Sequence, residues 1–130
     1  MFSHIVIGSD DLDRSKAFYD ALLPLLGLSC IADERSQGLF GYAADPQATP
    51  QFWIMKPING AAASVGNGGT VAINAPNRAL VDAFHRTALA QGATDEGAPG
   101  LRPHYHPDYY GAYLRDPDGH KICIVCHLPE

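Results

Sequence analysis

Short apolar runs in this chain alternate with polar breaks, and the spacing inside each run indicates which element it forms. His4-Ile5-Val6-Ile7-Gly8 is β-branched and reads as a strand, after which Ser9-Asp10-Asp11 offers side-chain oxygens to the free amides of a helix start. Leu12, Ser15, Tyr19, Leu22 and Leu26 recur at three- and four-residue spacing, which predicts a helix from about Leu12 to Leu26. Gly27 stops it, and Pro24 bends or tightens its last turn. Three strand-like runs follow, Leu28 to Glu34, Leu39 to Ala43 and Gln51 to Lys56. Ser36-Gln37-Gly38 and the loop from Asp45 to Pro50 separate them. The order is β-α-β-β-β.

A stretch rich in Gly, Ala and Ser from Asn59 to Gly69 reads as a linker, and the same order then recurs. Thr70 to Asn74 is a strand, Asn77 caps a helix from Arg78 to Gln91, and Gly92 ends it. A shift of 66 positions lays Ile7 on Ile73, Ala17 on Ala83, Phe18 on Phe84 and Leu23 on Leu89. Strands near Thr94 to Glu96, Tyr109 to Arg115 and Lys121 to Cys126 complete the second copy, with Asp116-Pro117-Asp118-Gly119 as the last turn. The expected fold is α+β: one domain over residues 1–130 made of two βαβββ halves, about 1–58 and 69–130, in a curled mixed sheet that bears a cleft.

With 130 residues and 46% hydrophobic content the chain can bury a core without disulfides or a structural metal. A formal charge of −5 with both signs interspersed argues against a nucleic-acid partner, which calls for a basic face. No apolar run approaches the roughly 20 residues that span a bilayer, and Met1-Phe2-Ser3-His4 lacks the charged start of a secretory signal, so no membrane partner and a cytoplasmic location are expected. Cys30, Cys123 and Cys126 are an odd, sparse set that suits reduced thiols.

The whole chain resembles the vicinal oxygen chelate superfamily, which includes glyoxalases, bleomycin-resistance proteins and extradiol dioxygenases. The matching features are His4-Ile-Val-Ile, then Asp-x-x-x-Ser-x-x-Phe-Tyr from Asp11 to Tyr19 and Leu25-Leu26-Gly27-Leu28. The second-half strand and helix also match, as does the closing Arg115-Asp116-Pro117-Asp118-Gly119-His120. The resemblance implies two curled halves around a cleft where a divalent metal meets an oxygen-chelating substrate, and it implies a homodimer. It places metal ligands on the first and last strands of each half. His4 keeps one such position, Thr70 stands where many relatives carry a second histidine, and Cys123 stands where a carboxylate often follows Asp-Pro-Asp-Gly. On the strand from Gln51, alternation puts Gln51, Trp53 and Met55 on one face and Phe52 and Ile54 on the other, and neither offers Glu or His. A degenerate metal site is therefore expected, with His4 and Cys123 as its remaining candidates. His4 also reads as a hydrogen-bonded cleft residue, and Cys123 as a reactive or a buried structural thiol.

Pro103-His104-Tyr105-His106-Pro107 stands out because its prolines favour extended backbone, which would put both imidazoles on one side. The pair could bind a metal or an anionic substrate, or form a solvated loop. Arg102 could receive a carboxylate through its planar fork, and Tyr109 and Tyr110 read either as pocket lining or as sheet packing. Cys123-x-x-Cys126-His127 matches a haem-attachment pattern, but a strand would send the two thiols to opposite faces, so no haem is expected, nor any nucleotide. His85, His120 and His127 are expected to be exposed and without a role.

Two functions follow from this reading. One is a glyoxalase-like lyase acting on a small oxygenated or thiol-conjugated molecule, with His4, Cys123, His104 and His106 at its site. The other is a metal-free protein that binds or sequesters a small planar molecule in an aromatic cleft of Trp53, Tyr105, Tyr110 and Tyr113. Iron-dependent ring cleavage would need two histidines and a carboxylate that the family positions do not supply.

Overall fold

The computed structural model describes residues 1–130. Its elements are β1 (His4–Gly8), α1 (Leu12–Leu22), β2 (Ser29–Glu34), β3 (Leu39–Ala43), β4 (Gln51–Met55), β5 (Val71–Asn74), α2 (Arg78–Ala90), β6 (Thr94–Leu101), β7 (Tyr110–Arg115) and β8 (Lys121–Cys126). They form two four-stranded sheets, ordered β1-β4-β3-β2 and β5-β8-β7-β6. In each half the first strand runs parallel to the last and the other pairs are antiparallel. The duplication is therefore real at the level of topology, and neither sheet closes on itself.

Both helices start where a side chain satisfies a free amide: Asp11 accepts from the Arg14 amide at 3.0 Å and Asn77 from the Leu80 amide at 2.8 Å. The first helix is shorter than its apolar spacing predicts. Pro24 has no N–H to donate back along an α-helix, so Leu23–Leu26 tighten into a 3-10 turn and Gly27 closes it at φ 75°. The strand β6 is longer than predicted. Gly97, Pro99 and Gly100 look like breakers, but β6 is an edge strand, and register shifts at Asp95/Gly97 and Gly97/Gly100 absorb them.

One face of each sheet packs on the helices in a shared core. Phe18, Tyr19, Leu22, Val81 and Phe84 from the helices meet Phe40, Phe52, Ile54, Leu114, Ile122 and Ile124 from the strands. Cys126 belongs to this core while Cys123 points to the other face, and all three thiols are free. No helix is long and apolar enough to cross a membrane.

Two histidines expected at the surface are structural. His85, 6% exposed, sits one turn from Val81 and from Ala88 on the apolar stripe of α2, and its Nε2 lies 3.0 Å from Asp95 of β6. His120 donates from Nε2 to the Gly8 carbonyl at 2.7 Å, joining the turn after β7 to the end of β1. That turn is a clamp between the halves. Asp116 accepts from the amides of Asp118 and His120 at 3.0 and 2.9 Å, and Asp118 accepts from Arg14 at 3.2 Å.

Candidate functional site

Strand alternation decides what the open face of the second sheet presents. In β7, Gly111, Tyr113 and Arg115 share that face, while Tyr110, Ala112 and Leu114 turn toward the helices. The antiparallel register sets Tyr113 opposite Cys123 and Arg115 opposite Lys121. Tyr109, one residue before the strand, folds its ring back over Gly111, where a Cβ would come within 2.8 Å of the ring. The Tyr109 hydroxyl then lies 2.8 Å from the Tyr113 hydroxyl and 3.5 Å from Cys123 Sγ.

The segment from Arg102 to Tyr109 builds outward from this pair. The Arg102 amide donates to the Tyr109 carbonyl at 2.8 Å, and the Tyr105 and Tyr109 amides donate back to Arg102 and His106, giving two consecutive turns. The extended conformation predicted from its prolines is not adopted, because both loop ends are tied together at the start of β7. The two imidazoles consequently take separate partners. His104 packs on Tyr105 at 4.3 Å between ring centroids, and Tyr105 packs on Tyr109 at 4.8 Å. His106 accepts from the Asp108 amide at Nδ1, so the network assigns its proton to Nε2, which donates to His127 Nδ1 at 2.8 Å. Both rings stand edge-on to Tyr109.

His127 was not expected to contribute. The signal for it is register: Tyr110 pairs with Cys126, and one step further places His127 opposite Tyr109. Tyr110 is the converse case. It was grouped with Tyr113 as cleft lining, but alternation sends it to the helix side, where its hydroxyl donates to Asp82 at 2.6 Å and the Arg78 guanidinium lies 5.3 Å from its ring. Trp53 lies on the first sheet, its indole over Gly41 and its Nε1 donating to Gln51 at 3.0 Å. The register places it in the first half where Cys123 stands in the second, since Val6 pairs with Trp53 and Ala72 with Cys123.

Burial raises the Tyr109 hydroxyl well above its ordinary range, and its bonds to Cys123 and Tyr113 add to the effect. Burial also raises the Tyr113 hydroxyl and the Cys123 thiol, the latter against hydrogen bonds from both tyrosines that favour the thiolate. At neutral pH this face therefore offers protonated hydroxyls and aromatic carbon, with the protonated Cys123 thiol covered beneath them. Two cations border it: the Arg102 guanidinium and the Lys121 ammonium lie 5.7 and 5.2 Å from the Tyr113 ring centre.

The sequence model of the Glyoxalase/Bleomycin resistance protein/Dioxygenase superfamily matches residues 1–124. The chain belongs to that superfamily. A glyoxalase/bleomycin resistance protein from Albidiferax ferrireducens T118 superimposes with a TM-score of 0.83 at 42% identity, over 98% of this chain and 99% of that one. A glyoxalase-related enzyme from Fulvimarina pelagi follows the same fold at TM-score 0.75 and 20% identity, over 97% and 87% of the two chains. Lactoylglutathione lyase from Agrobacterium tumefaciens does so at TM-score 0.65 and 20% identity, over 97% and 92%. No match is found among curated proteins.

The metal implied by the glyoxalase superfamily does not suit the donors present. His4 is exposed, with its Nδ1 2.9 Å from the neighbouring Ser3 hydroxyl, and Thr70 is exposed just before β5. Cys123 is 1% exposed and hydrogen-bonded to Tyr109, and the position matching it in the first half is an indole. No three His, Cys, Asp or Glu side chains are gathered as a metal-binding group. A hard divalent cation requires several oxygen or imidazole ligands, and this set does not supply them.

Proposed function

We propose that this member of the glyoxalase superfamily is a binding protein, which holds a small planar molecule against the Tyr109, Tyr113 and Cys123 face without a metal. The observation that carries this reading is the Tyr109 ring folded over Gly111 with its hydroxyl on Tyr113 and Cys123. It covers the Cys123 thiol, at the position where the resemblance expects a carboxylate, with two aromatic side chains. Such a face favours apolar, π-bearing ligands through area burial and ring packing, the latter contributing about 0.5–1.5 kcal/mol per aromatic pair. The metal-assisted lyase reading lacks a gathered set of donors to hold a substrate-polarising cation and a carboxylate to move the proton.

Equilibrium dialysis of 2-naphthamide with the protein in chelator tests the reading. Saturable binding that weakens at least tenfold in Tyr113→Ala is expected. Absence of binding, together with hemithioacetal turnover after loading with nickel or zinc, would replace the reading with the lyase. A homodimer is part of the proposal, because Val6 and Trp53 leave partly open apolar surface on the first sheet. Light scattering at the mass of a single chain would remove that part.

A further inference from the structure

Arg102 is held in an unusual way for a cation at a protein surface. Its Nη1 donates to the Gly100 carbonyl at 2.8 Å and its Nη2 to the Ala98 carbonyl at 2.9 Å, so the fork is fixed by the backbone of β6, the strand that ends just before it. The glycines of that strand make room for it. A Cβ at Gly100 would come within 3.2 Å of Nη1, and one at Gly97 within 3.3 Å of both Nη2 and the Tyr113 ring. Gly97 pairs with Tyr113 and Gly100 with Gly111, so the space those side chains would fill is on the Tyr109 and Tyr113 face. The guanidinium occupies it.

No carboxylate neutralises either cation of this face. Arg14, Arg35, Arg78, Arg115 and Lys16 all have acidic partners within 4 Å, whereas Arg102 and Lys121, like the exposed Lys56 and Arg86, have none. Both lie over the Tyr113 ring. Both cations are partly solvated and share one aromatic ring, so an anion reaching them would gain charge-assisted hydrogen bonds that the ring does not supply. A fixed guanidinium fork suits a planar two-oxygen group, and a nearby ammonium adds a mobile donor.

We propose that Arg102 and Lys121 form an oxyanion site at the edge of the tyrosine face, selecting planar ring compounds that carry a carboxylate or phosphate. This rests on the reading of that face as a metal-free binding surface and adds the charge class of its ligand.

Matched probes separate the two claims. In dialysis or calorimetry with chelator present, 2-naphthoate is expected to bind roughly ten- to a hundredfold more tightly than 2-naphthamide, which has the same ring and no charge. Added salt weakens the naphthoate only. In Arg102→Met and Lys121→Met, checked for unchanged circular dichroism, the ratio of naphthoate to naphthamide affinity falls. Gly100→Ala keeps every charge but displaces the fork, and it is expected to reduce the same advantage. 2-Naphthyl phosphate run alongside identifies which oxyanion the site prefers. Equal binding of naphthoate and naphthamide, or an advantage unaffected by all three variants, would overturn the oxyanion site and leave the aromatic face standing. Binding of none of the probes would overturn both.

Discussion

The Tyr19 hydroxyl donates a 2.6 Å hydrogen bond to Oδ2 of Asp116, a residue 97 positions further along the chain. Tyr19 is in the first helix of the first half, and Asp116 opens the last turn of the second. Asp116 is 4% exposed, and its other oxygen takes two backbone amides of the turn. The Asp-Pro-Asp-Gly signature of the superfamily thus serves here as a structural clamp between the two halves. Tyr19→Phe leaves a buried carboxylate with one partner fewer, and a loss of about 1–3 kcal/mol in urea unfolding is expected. A midpoint unchanged from wild type would show that the clamp carries no stability.

Burial raises the Asp116 carboxyl above the ordinary 3.8, although its hydrogen bonds with Tyr19 and the His120 amide oppose the shift. A raised folded-state value means that the unfolded chain gives up the proton first. The stability Asp116 contributes is therefore complete below pH 3.8 and is lost as the pH rises through its folded value. Asp95 runs the other way. The Gly97 amide and then His85 lower it, so its contribution is present above pH 3.8 and lost as the pH falls through its folded value. Urea unfolding from about pH 3 to about pH 7 is expected to show wild type losing ground to Asp116→Asn as pH rises, and gaining on Asp95→Asn over the acid end.

Cys123 and Cys30 have opposite settings. Burial raises the Cys123 thiol, and the chain itself covers it, while Cys30 is exposed. Iodoacetamide at about pH 8 is expected to label Cys30 first and Cys123 slowly, read by peptide mass spectrometry. Tyr109→Phe removes a hydrogen bond that favours the Cys123 thiolate, so the pH at which Cys123 begins to react moves upward. Faster labelling of Cys123 than of Cys30 in wild type would contradict the burial of this thiol.

His4 should be silent toward metals. Its ring has only Ser3 as a hydrogen-bond partner, and no three potential ligands gather around any point of the chain. Titrations of nickel, zinc, manganese and iron(II) into wild type and His4→Ala are expected to superimpose. A cation bound tightly by wild type and lost in the variant would restore the family's metal site.

Gly41 has no room for a side chain. A Cβ there would lie 2.4 Å from the Trp53 ring, so Gly41→Ala must displace the indole. About 1–3 kcal/mol of lost stability is expected from this overpacking. Trp53 is the single tryptophan, so its emission maximum reports the displacement directly. An unshifted spectrum would mean that the ring does not lie over Gly41 in solution.

Much of the fold could be read from the chain because its determinants are local. Asp11 and Asn77 cap helices within three residues of themselves, and the runs at Leu39–Ala43 and Lys121–Cys126 are short, apolar and bounded by turn residues, which marks their strands. His85 was legible in principle, since helical spacing from Val81 already put it on the buried stripe, and so was the orientation of Tyr110 once β7 was assigned. The edge strand β6 was not, because its breakers are tolerated only where a neighbour on one side leaves the other free.

The candidate site depends on pairing between segments far apart in sequence. Tyr113 meets Cys123, and His127 meets Tyr109 and His106, only after β7 and β8 have chosen a register, and a slip of one residue would exchange every side chain on both faces. The Arg102 to Tyr109 loop likewise follows from the closure of its two ends across the sheet, which overrides the extended preference of its prolines. Sequence alone determined two βαβββ halves and their family, because periodicity and capping act over a few residues. Tertiary structure alone decided which tyrosines, imidazoles and cations share a surface, because that is set by strand register and loop closure, which no local pattern encodes.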